Sequence, residues 1–276
     1  MILFVVASAV WLMLLGTALA VLVALASSGS AGSGFMESAL GLSVFTVMQS
    51  LGMLGIIVGI CRIWDRPLMS TLGLGPMPRH LPLVAGCSGL AASLLSGWVA
   101  EVVTQSWSWF EAEHLTVLAE LLIDGPLPGR LALLAMVLLV APLAEEVIFR
   151  GFLWKGIEEA TSPTIAWLAT SLLFAAYHVD PLHVVSILPT GLFLGWLRRT
   201  SQSIRPAILC HFSHNLLGVS LCLWGGSEVE VPMSLLAFSA VAGVLLISGI
   251  CAHRLGSVQF SHPSSAQLSP EASVQE

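Results

Sequence analysis

The chain has 276 residues, of which 56% are apolar and only 9% are charged. A soluble domain carries about 25% charged residues, so this composition argues against a soluble enzyme, a nucleic-acid-binding protein and a disordered chain. Ten basic and sixteen acidic residues give a net charge of −6, and they leave no basic face for nucleic acid. The composition therefore predicts an all-α, polytopic, integral membrane protein.

Eight apolar runs approach the length of about 20 residues that a helix needs to cross a bilayer. In chain order they are Ile2–Ala26, Met36–Ile63, Leu81–Val103, Arg130–Trp154, Ser162–His178, His183–Leu197, Ile204–Trp224 and Val231–Cys251. The first run has no basic residue before it, which favours a retained helix over a cleaved signal peptide. Acidic residues and tryptophans within 104–127 predict an amphipathic helix on the membrane surface, and the Ser- and Pro-rich tail predicts disorder.

The basic residues predict the orientation of these spans, because cytoplasmic connections are rich in Lys and Arg. With a cytoplasmic N-terminus, nine of the ten basic residues fall on the cytoplasmic side, and only Arg130 does not. The nine are Arg62, Arg66, Arg79, Arg150, Lys155, Arg198, Arg199, Arg205 and Arg254. We therefore predict eight transmembrane helices with both termini in the cytoplasm, and expect a bacterial cytoplasmic membrane.

A first cluster of charges ends the fourth run, and charge inside a span indicates function by default. Glu145 and Glu146 are adjacent, so they face different directions on a helix. Glu146 and Arg150 are four residues apart and are expected to pair. Glu145 is left without a local partner, which suits a general base. The alternative is that all three charges cap the span at the membrane interface.

Two further clusters contain histidine. His178 ends the fifth run, about 24 Å into it at 1.5 Å per residue. A simple diagram of spans would put it toward the outer side, whereas Glu145 and His211 lie in the cytoplasmic half, so we expect the fifth helix to start deep in the membrane or to be strongly tilted. His211, His214 and Asn215 lie within five residues of each other in the seventh run. One histidine at the end of a span is usually structural, whereas two histidines and an asparagine inside a span favour chemistry.

Together these residue types suit hydrolysis of a peptide bond. A carboxylate takes a proton from water, an imidazole positions that water or protonates the leaving amine, and an Asn amide donates to the oxyanion. The nucleophile elbow GxSxG and the zinc-protease motif HExxH are both absent. Two histidines and a carboxylate remain a possible zinc site.

Three motifs in order resemble the CAAX-protease and bacteriocin-processing (CPBP) family, which includes type II CAAX prenyl endopeptidases and proteins like the lysostaphin-resistance protein. They are Glu-Glu-x-x-x-Arg at 145–150, Phe-x-x-x-His at 174–178 and His-x-x-x-Asn at 211–215. Pro142, the Phe-Arg-Gly at 149–151 and the Gly-Leu-Phe-Leu-Gly-Trp-Leu at 191–197 add matching context. The resemblance covers about residues 128–222.

The resemblance implies a membrane-embedded endopeptidase with its catalytic cavity inside the membrane. It implies that Glu145 activates water, that His178 assists, and that His211 and Asn215 position the reacting groups and hold the oxyanion. Glu146 and Arg150 would support the site. Because Asn is a poor zinc ligand and a good oxyanion donor, we expect no required metal. If zinc binds, Glu145, His178 and His211 are its expected ligands.

This interpretation divides the chain into three parts. Residues 1–127 would be N-terminal transmembrane helices with the acidic amphipathic segment, 128–252 the catalytic membrane core, and 253–276 a disordered cytoplasmic tail. The expected partners are the lipid bilayer and a membrane-associated protein or peptide substrate. A polytopic transporter and a catalytically silent membrane scaffold are the alternative functions.

Overall fold

A computed structural model describes residues 37–77, 79, 81–107 and 113–225. These ranges form eight helices and contain no strand. The helices are α1 Ala39–Ile63, α2 Leu68–Thr71, α3 Leu81–Ser106, α4 Glu113–Ile123, α5 Leu127–Ala160, α6 Pro163–Tyr177, α7 Pro181–Ser201 and α8 Arg205–Gly225. The predicted all-α class is confirmed.

Four of these helices, α1, α3, α5 and α8, are long and apolar enough to cross a membrane, and α6 is a shorter apolar helix of 15 residues. Six of the eight predicted runs therefore correspond to observed helices, and α4 corresponds to the predicted amphipathic helix. The first run Ile2–Ala26, the eighth run Val231–Cys251 and the predicted disordered tail lie outside the described residues. These apolar helices make the protein an integral membrane protein.

Local sequence signals explain where several helices begin. The hydroxyl oxygens of Ser38 and Ser162 accept hydrogen bonds from backbone N–H groups three residues later, and the Asp180 carboxylate does the same for His183. Such N-caps satisfy an N–H that has no partner inside the helix. Proline follows at the first position of both α6 and α7, where its missing N–H costs nothing.

Helix α5 runs for 34 residues, and its hydrogen bonds depart from the α-helical pattern in two segments. Met136–Val140 and Val147–Leu153 are π-helical, and one α-helical stretch, Ala141–Glu146, lies between them. Short π-helical segments inside α-helices are frequent at functional sites. The predicted end of this span at Trp154 is wrong, because the helix continues for six more residues to Ala160.

Three connections meet at one end of the bundle. Arg66, just after α1, pairs with Glu159 near the end of α5 at 2.8 Å. The backbone N–H of Ile204, between α7 and α8, donates to the Gly73 carbonyl at 2.9 Å, and the Ser203 hydroxyl donates to the Gly75 carbonyl at 2.8 Å. These are connections that the charge distribution assigns to the same side of the membrane.

Helices on both sides of the predicted boundary at residues 127 and 128 share one core. Ile57 and Ala85 from α1 and α3 pack in the same buried cluster as Phe149, Phe174 and Cys210. Helix α3 lies against α8 so closely that a Cβ at Gly89 would overlap the carbonyl oxygen of Cys210. The N-terminal helices therefore form part of the packing that holds the candidate site.

Candidate active site

The predicted contact between Glu146 and Arg150 is present, and both side chains are fully buried. Arg150 Nη1 donates to Glu146 Oε1 at 3.2 Å, and Arg150 Nη2 donates to the carbonyl oxygen of Gly191 at 2.8 Å. Buried charges persist only when they are paired and hydrogen-bonded. This pair therefore ties α5 to α7 and is part of the interior of the bundle, not of its interface with solvent.

His211 lies between the two adjacent carboxylates. Its Nδ1 is 3.0 Å from Glu146 Oε1, and its Nε2 is 3.8 Å from Glu145 Oε2. Glu146 forms an ion pair with Arg150, and a carboxylate can only accept hydrogen bonds. The Nδ1–H of His211 therefore donates to Glu146, and Nε2 is left facing Glu145. A carboxylate that holds the far nitrogen of a histidine in this way sets the tautomer and orientation of the ring.

The two carboxylates differ in their surroundings. The Glu145 side chain is 15% exposed, whereas that of Glu146 is 0% exposed. The Oε2 atoms of both carboxylates are buried and have no hydrogen-bond partner among the residues that the structure describes. Glu146, however, is engaged through Oε1 with Arg150 and His211. Glu145, which is partly exposed, is therefore the carboxylate of the pair that is available to a reactant.

Phe174, from the second motif, is the apolar centre of the site. Its buried ring lies 4.3 Å from the guanidinium carbon of Arg150 and makes edge contacts with the rings of His178 and His211, at centroid distances of 5.1 and 5.5 Å. The guanidinium therefore has a cation–π contact in addition to its hydrogen bonds. The spacing Phe-x-x-x-His places the two rings one helical turn apart, so α6 contributes both to the same side.

His178 lies beside Phe174, whose ring also contacts His211, so the simple diagram of spans does not hold at the fifth run. The rings of Phe174 and Tyr177, at the end of α6, contact Phe149 of α5 at 5.6 and 5.7 Å. Since α5 extends to Ala160, α6 starts farther from Glu145 than predicted and runs back along α5 to reach its level. His178 Nδ1 is 2.9 Å from the Phe174 carbonyl oxygen, which leaves Nε2 for other partners.

Asn215 occupies the expected face of α8, one turn after His211, but its amide is already engaged. Asn215 Nδ2 donates to the carbonyl oxygen of Val137 in α5 at 2.8 Å. An Asn amide nitrogen carries two N–H donors, so one donor remains. His214, the third member of the motif, is buried, and its Nδ1 has no hydrogen-bond partner among the described residues.

The possible zinc ligands were tested by their geometry. Among the described residues, no group of three His, Cys, Asp or Glu side chains converges so as to hold a metal ion. The Nδ1 atoms of His211 and His178 face Glu146 and a backbone carbonyl, which leaves both Nε2 atoms available. It is the lack of convergence, not these hydrogen bonds, that keeps Glu145, His178 and His211 from forming the tetrahedral set of a catalytic zinc.

Two residues near the site were not predicted. His183 lies one turn into α7 with its ring centroid 4.4 Å from that of His178, because Asp180 caps α7 directly after the link from α6. The pattern Asp-Pro-x-His, just after the second motif, was the available signal. Arg198 is 4% exposed and donates from Nε to the Arg150 carbonyl at 3.0 Å, and no pattern in the sequence indicated this contact.

Two of the basic residues that predict the orientation of the spans lie in the protein interior. Arg150 and Arg198 were counted among the nine basic residues of cytoplasmic connections, but both are buried inside the bundle and hydrogen-bonded there. A buried, bonded arginine reports packing, not membrane orientation. Seven of the nine residues remain as orientation signals, and Arg254, which is one of them, lies outside the described residues.

An apolar cavity of about 250 Å³ lies elsewhere, between α3, α6 and α7. Its walls include Leu95, Trp167, Phe193 and Trp196 and none of the six candidate residues.

Comparison with known proteins gives one match. Residues 127–217 match the family model described as Rce1-like, type II CAAX prenyl endopeptidase. No curated protein and no solved structure matches the chain. The matched segment contains all three motifs and covers α5 to α8 up to two residues beyond Asn215. Residues 127–217 therefore match the same family that the three motifs resemble.

Proposed function

We propose that this protein is a CAAX-type intramembrane endopeptidase that hydrolyses a peptide bond in a membrane-associated protein or peptide, with water activated by Glu145. The observation that carries the proposal is the distance of 3.8 Å between His211 Nε2 and Glu145 Oε2, a buried oxygen that accepts no hydrogen bond from the described part of the chain. A water molecule bound to both atoms would be held for attack by two groups that can share its protons.

The reaction follows from this arrangement. Glu145 takes one proton as the water oxygen attacks the scissile carbonyl carbon, and the carbonyl oxygen becomes an oxyanion. The C–N bond then breaks, the proton held by Glu145 passes to the leaving amine, and a new carboxyl group is left on the substrate. No covalent enzyme intermediate is needed, and the base is regenerated at the end of each turnover.

The other motif residues support this step. His211, held by Glu146, orients the water, and His178 assists through Nε2, since its Nδ1 faces the Phe174 carbonyl. Asn215 has one amide N–H on Val137 and offers the second to the oxyanion, a contribution that is typically worth 10²- to 10³-fold in rate. Glu146 and Arg150 keep His211 in its orientation.

The test uses purified protein in proteoliposomes and a fluorescence-quenched peptide with a C-terminal CaaX sequence, in farnesylated and unmodified forms. Wild-type protein is expected to cleave the peptide, and Glu145→Gln, which keeps shape but removes the base, is expected to lose turnover. Glu159→Gln is the matched control, because Glu159 lies on the same helix in a partly exposed ion pair. It should retain activity.

A second experiment searches for the natural substrate. Membrane proteomes of cells that express the wild-type chain or Glu145→Gln are compared for new C-termini or released peptides. Cleavage products that need Glu145 would identify the substrate and show whether it is prenylated. If neither experiment detects cleavage by well-folded wild-type protein, the silent scaffold is the better interpretation. Glu145-dependent solute flux in the same liposomes would instead favour the transporter.

A further inference from the structure

The two π-helical segments of α5 end in the same way. In the first, the N–H of Ala141 bonds to the carbonyl of Met136, five residues back. The next carbonyl in that register, Val137 O, would face residue 142, which is a proline and has no N–H to give. Val137 O instead accepts a hydrogen bond from Asn215 Nδ2 of α8 at 2.8 Å.

The second segment ends in a related way, with Lys155 at the position that Pro142 takes in the first. The N–H of Trp154 bonds to the carbonyls of Gly151 and Phe149, and Phe149 is again five residues back. The next carbonyl, Arg150 O, accepts a hydrogen bond from Arg198 Nε of α7 at 3.0 Å. In both segments, the carbonyl that follows the last π-type bond therefore receives a side-chain donor from a neighbouring helix.

We propose that Asn215 and Arg198 are positioning residues that hold the two π-helical segments of α5, and so fix Glu145 and Glu146 relative to His211. Between the two segments lies the stretch Ala141–Glu146, which ends in both carboxylates. Each donor comes from a helix that also contacts the Glu146–Arg150 pair, α8 through His211 and α7 through the Gly191 carbonyl.

The physical reason is that a π-helical turn leaves a main-chain carbonyl without its usual partner, and a buried carbonyl without a partner is costly. When the partner comes from another helix, the turn is stable only while the two helices keep the same position relative to each other along their axes. The hydrogen bond from Asn215, one turn beyond His211, fixes this axial position of α8 relative to α5. The separation of 3.8 Å between His211 Nε2 and Glu145 Oε2 depends on the same axial position.

This inference rests on the proposed endopeptidase activity for its kinetic test but not for its structural one. The experiment is a double-mutant cycle of Asn215→Ala and Pro142→Ala, in which the melting temperature in detergent and the steady-state kinetics with the CaaX peptide are both measured. Pro142→Ala supplies the N–H that position 142 lacks, directed at Val137 O. Asn215→Ala should therefore cost much less in melting temperature and in kcat when residue 142 is alanine.

The positioning role should add about 10-fold or more in kcat, at unchanged KM, to the loss of about 10²- to 10³-fold that follows from removing the oxyanion donor. At least half of this added loss, on a logarithmic scale, should be recovered with Pro142→Ala, and the oxyanion part should remain. Pro189→Ala removes another proline from inside a helix and should recover nothing. Equal losses in both backgrounds would overturn the positioning role of Asn215 and leave it as an oxyanion donor alone.

The second contact is tested with Arg198, whose side chain donates a hydrogen bond to the Arg150 carbonyl of α5 and also lies over the Trp154 ring. Arg198→Met should lower kcat at unchanged KM, and Arg198→Lys, which keeps a donor and a charge, should restore most of it. Full kcat in a folded Arg198→Met variant would overturn the proposal for this segment. If no variant and no wild-type protein cleaves the peptide while the melting temperatures still couple, the proposed function fails and the positioning contacts stand.

Discussion

Replacement of Arg150 by alanine is expected to destabilise the protein more than any exposed charge change. Arg150 is fully buried, donates to Glu146 and to the Gly191 carbonyl, and lies 4.3 Å from the ring centre of Phe174. Arg150→Ala removes all three contacts and leaves the Glu146 carboxylate with His211 as its remaining partner. Breaking a buried pair in this way costs about 3–5 kcal/mol, a large part of a typical folding free energy of about 5–15 kcal/mol.

The assay is the yield of monodisperse protein after detergent extraction, together with its melting temperature. Arg66→Ala is the matched control, because Arg66 also pairs with a glutamate but is 45% exposed. An exposed pair is worth about 0–1 kcal/mol, so this variant should behave almost like wild type. Arg150→Ala should lose most of its folded yield as well as its activity.

A second variant separates loss of the pair from loss of packing. Replacing both partners, as Glu146→Leu with Arg150→Met, leaves no unpaired charge and should recover much of the stability, as for other buried pairs. It should not recover activity, because His211 loses the carboxylate that orients it. If Arg150→Ala instead keeps its yield and melting temperature and loses only activity, the reasoning is refuted, and Arg150 acts as a substrate contact.

Three further predictions follow from local geometry. Val179 has a φ of +63° and is 65% exposed, so Val179→Gly should relieve about 1 kcal/mol of backbone strain and raise the melting temperature. Val185→Gly, in regular helix, should lower the melting temperature, and the reverse order would contradict the strain at Val179. Gly89→Ala would drive a Cβ into the Cys210 carbonyl and should lower both stability and activity. Gly97→Ala should be tolerated, because a Cβ at that position has nothing within 4 Å. A tolerated Gly89→Ala would show that α3 and α8 can separate freely. Strong chelators should leave peptide cleavage intact, and loss of activity that stoichiometric zinc restores would return the site to a metal mechanism.

The amino-acid sequence by itself determines the membrane class, the approximate helices and the motif residues that form the candidate site. Apolar runs long enough to cross a bilayer leave few alternatives to helices, since every backbone polar group must be satisfied internally. The i,i+4 spacing of Glu146 and Arg150 predicts their contact because it depends only on helix geometry. The three motifs were also sufficient to identify the family of residues 127–217.

The depth of His178 could not be predicted in this way. It depends on where α5 ends, and a charged, amphipathic helical turn such as Trp154–Ala160 gives no apolar signal. Once α5 extends to Ala160, the following helix returns along it, and Phe174 and His178 come to the level of Phe149. Boundaries of helices beyond the apolar core are decided by packing, here by the buried contacts of Trp154 and Ile157 with Ala166 of α6.

The π-helical segments and their partners were decided by the tertiary structure alone. Pro142 in a membrane span predicts only a disturbed ladder of hydrogen bonds. It does not predict which carbonyl is left over or which helix supplies the donor. Val137 and Asn215 are 78 residues apart, and Arg150 and Arg198 are 48 apart. Contacts at such separations follow from the arrangement of whole helices, which no local pattern of residues encodes.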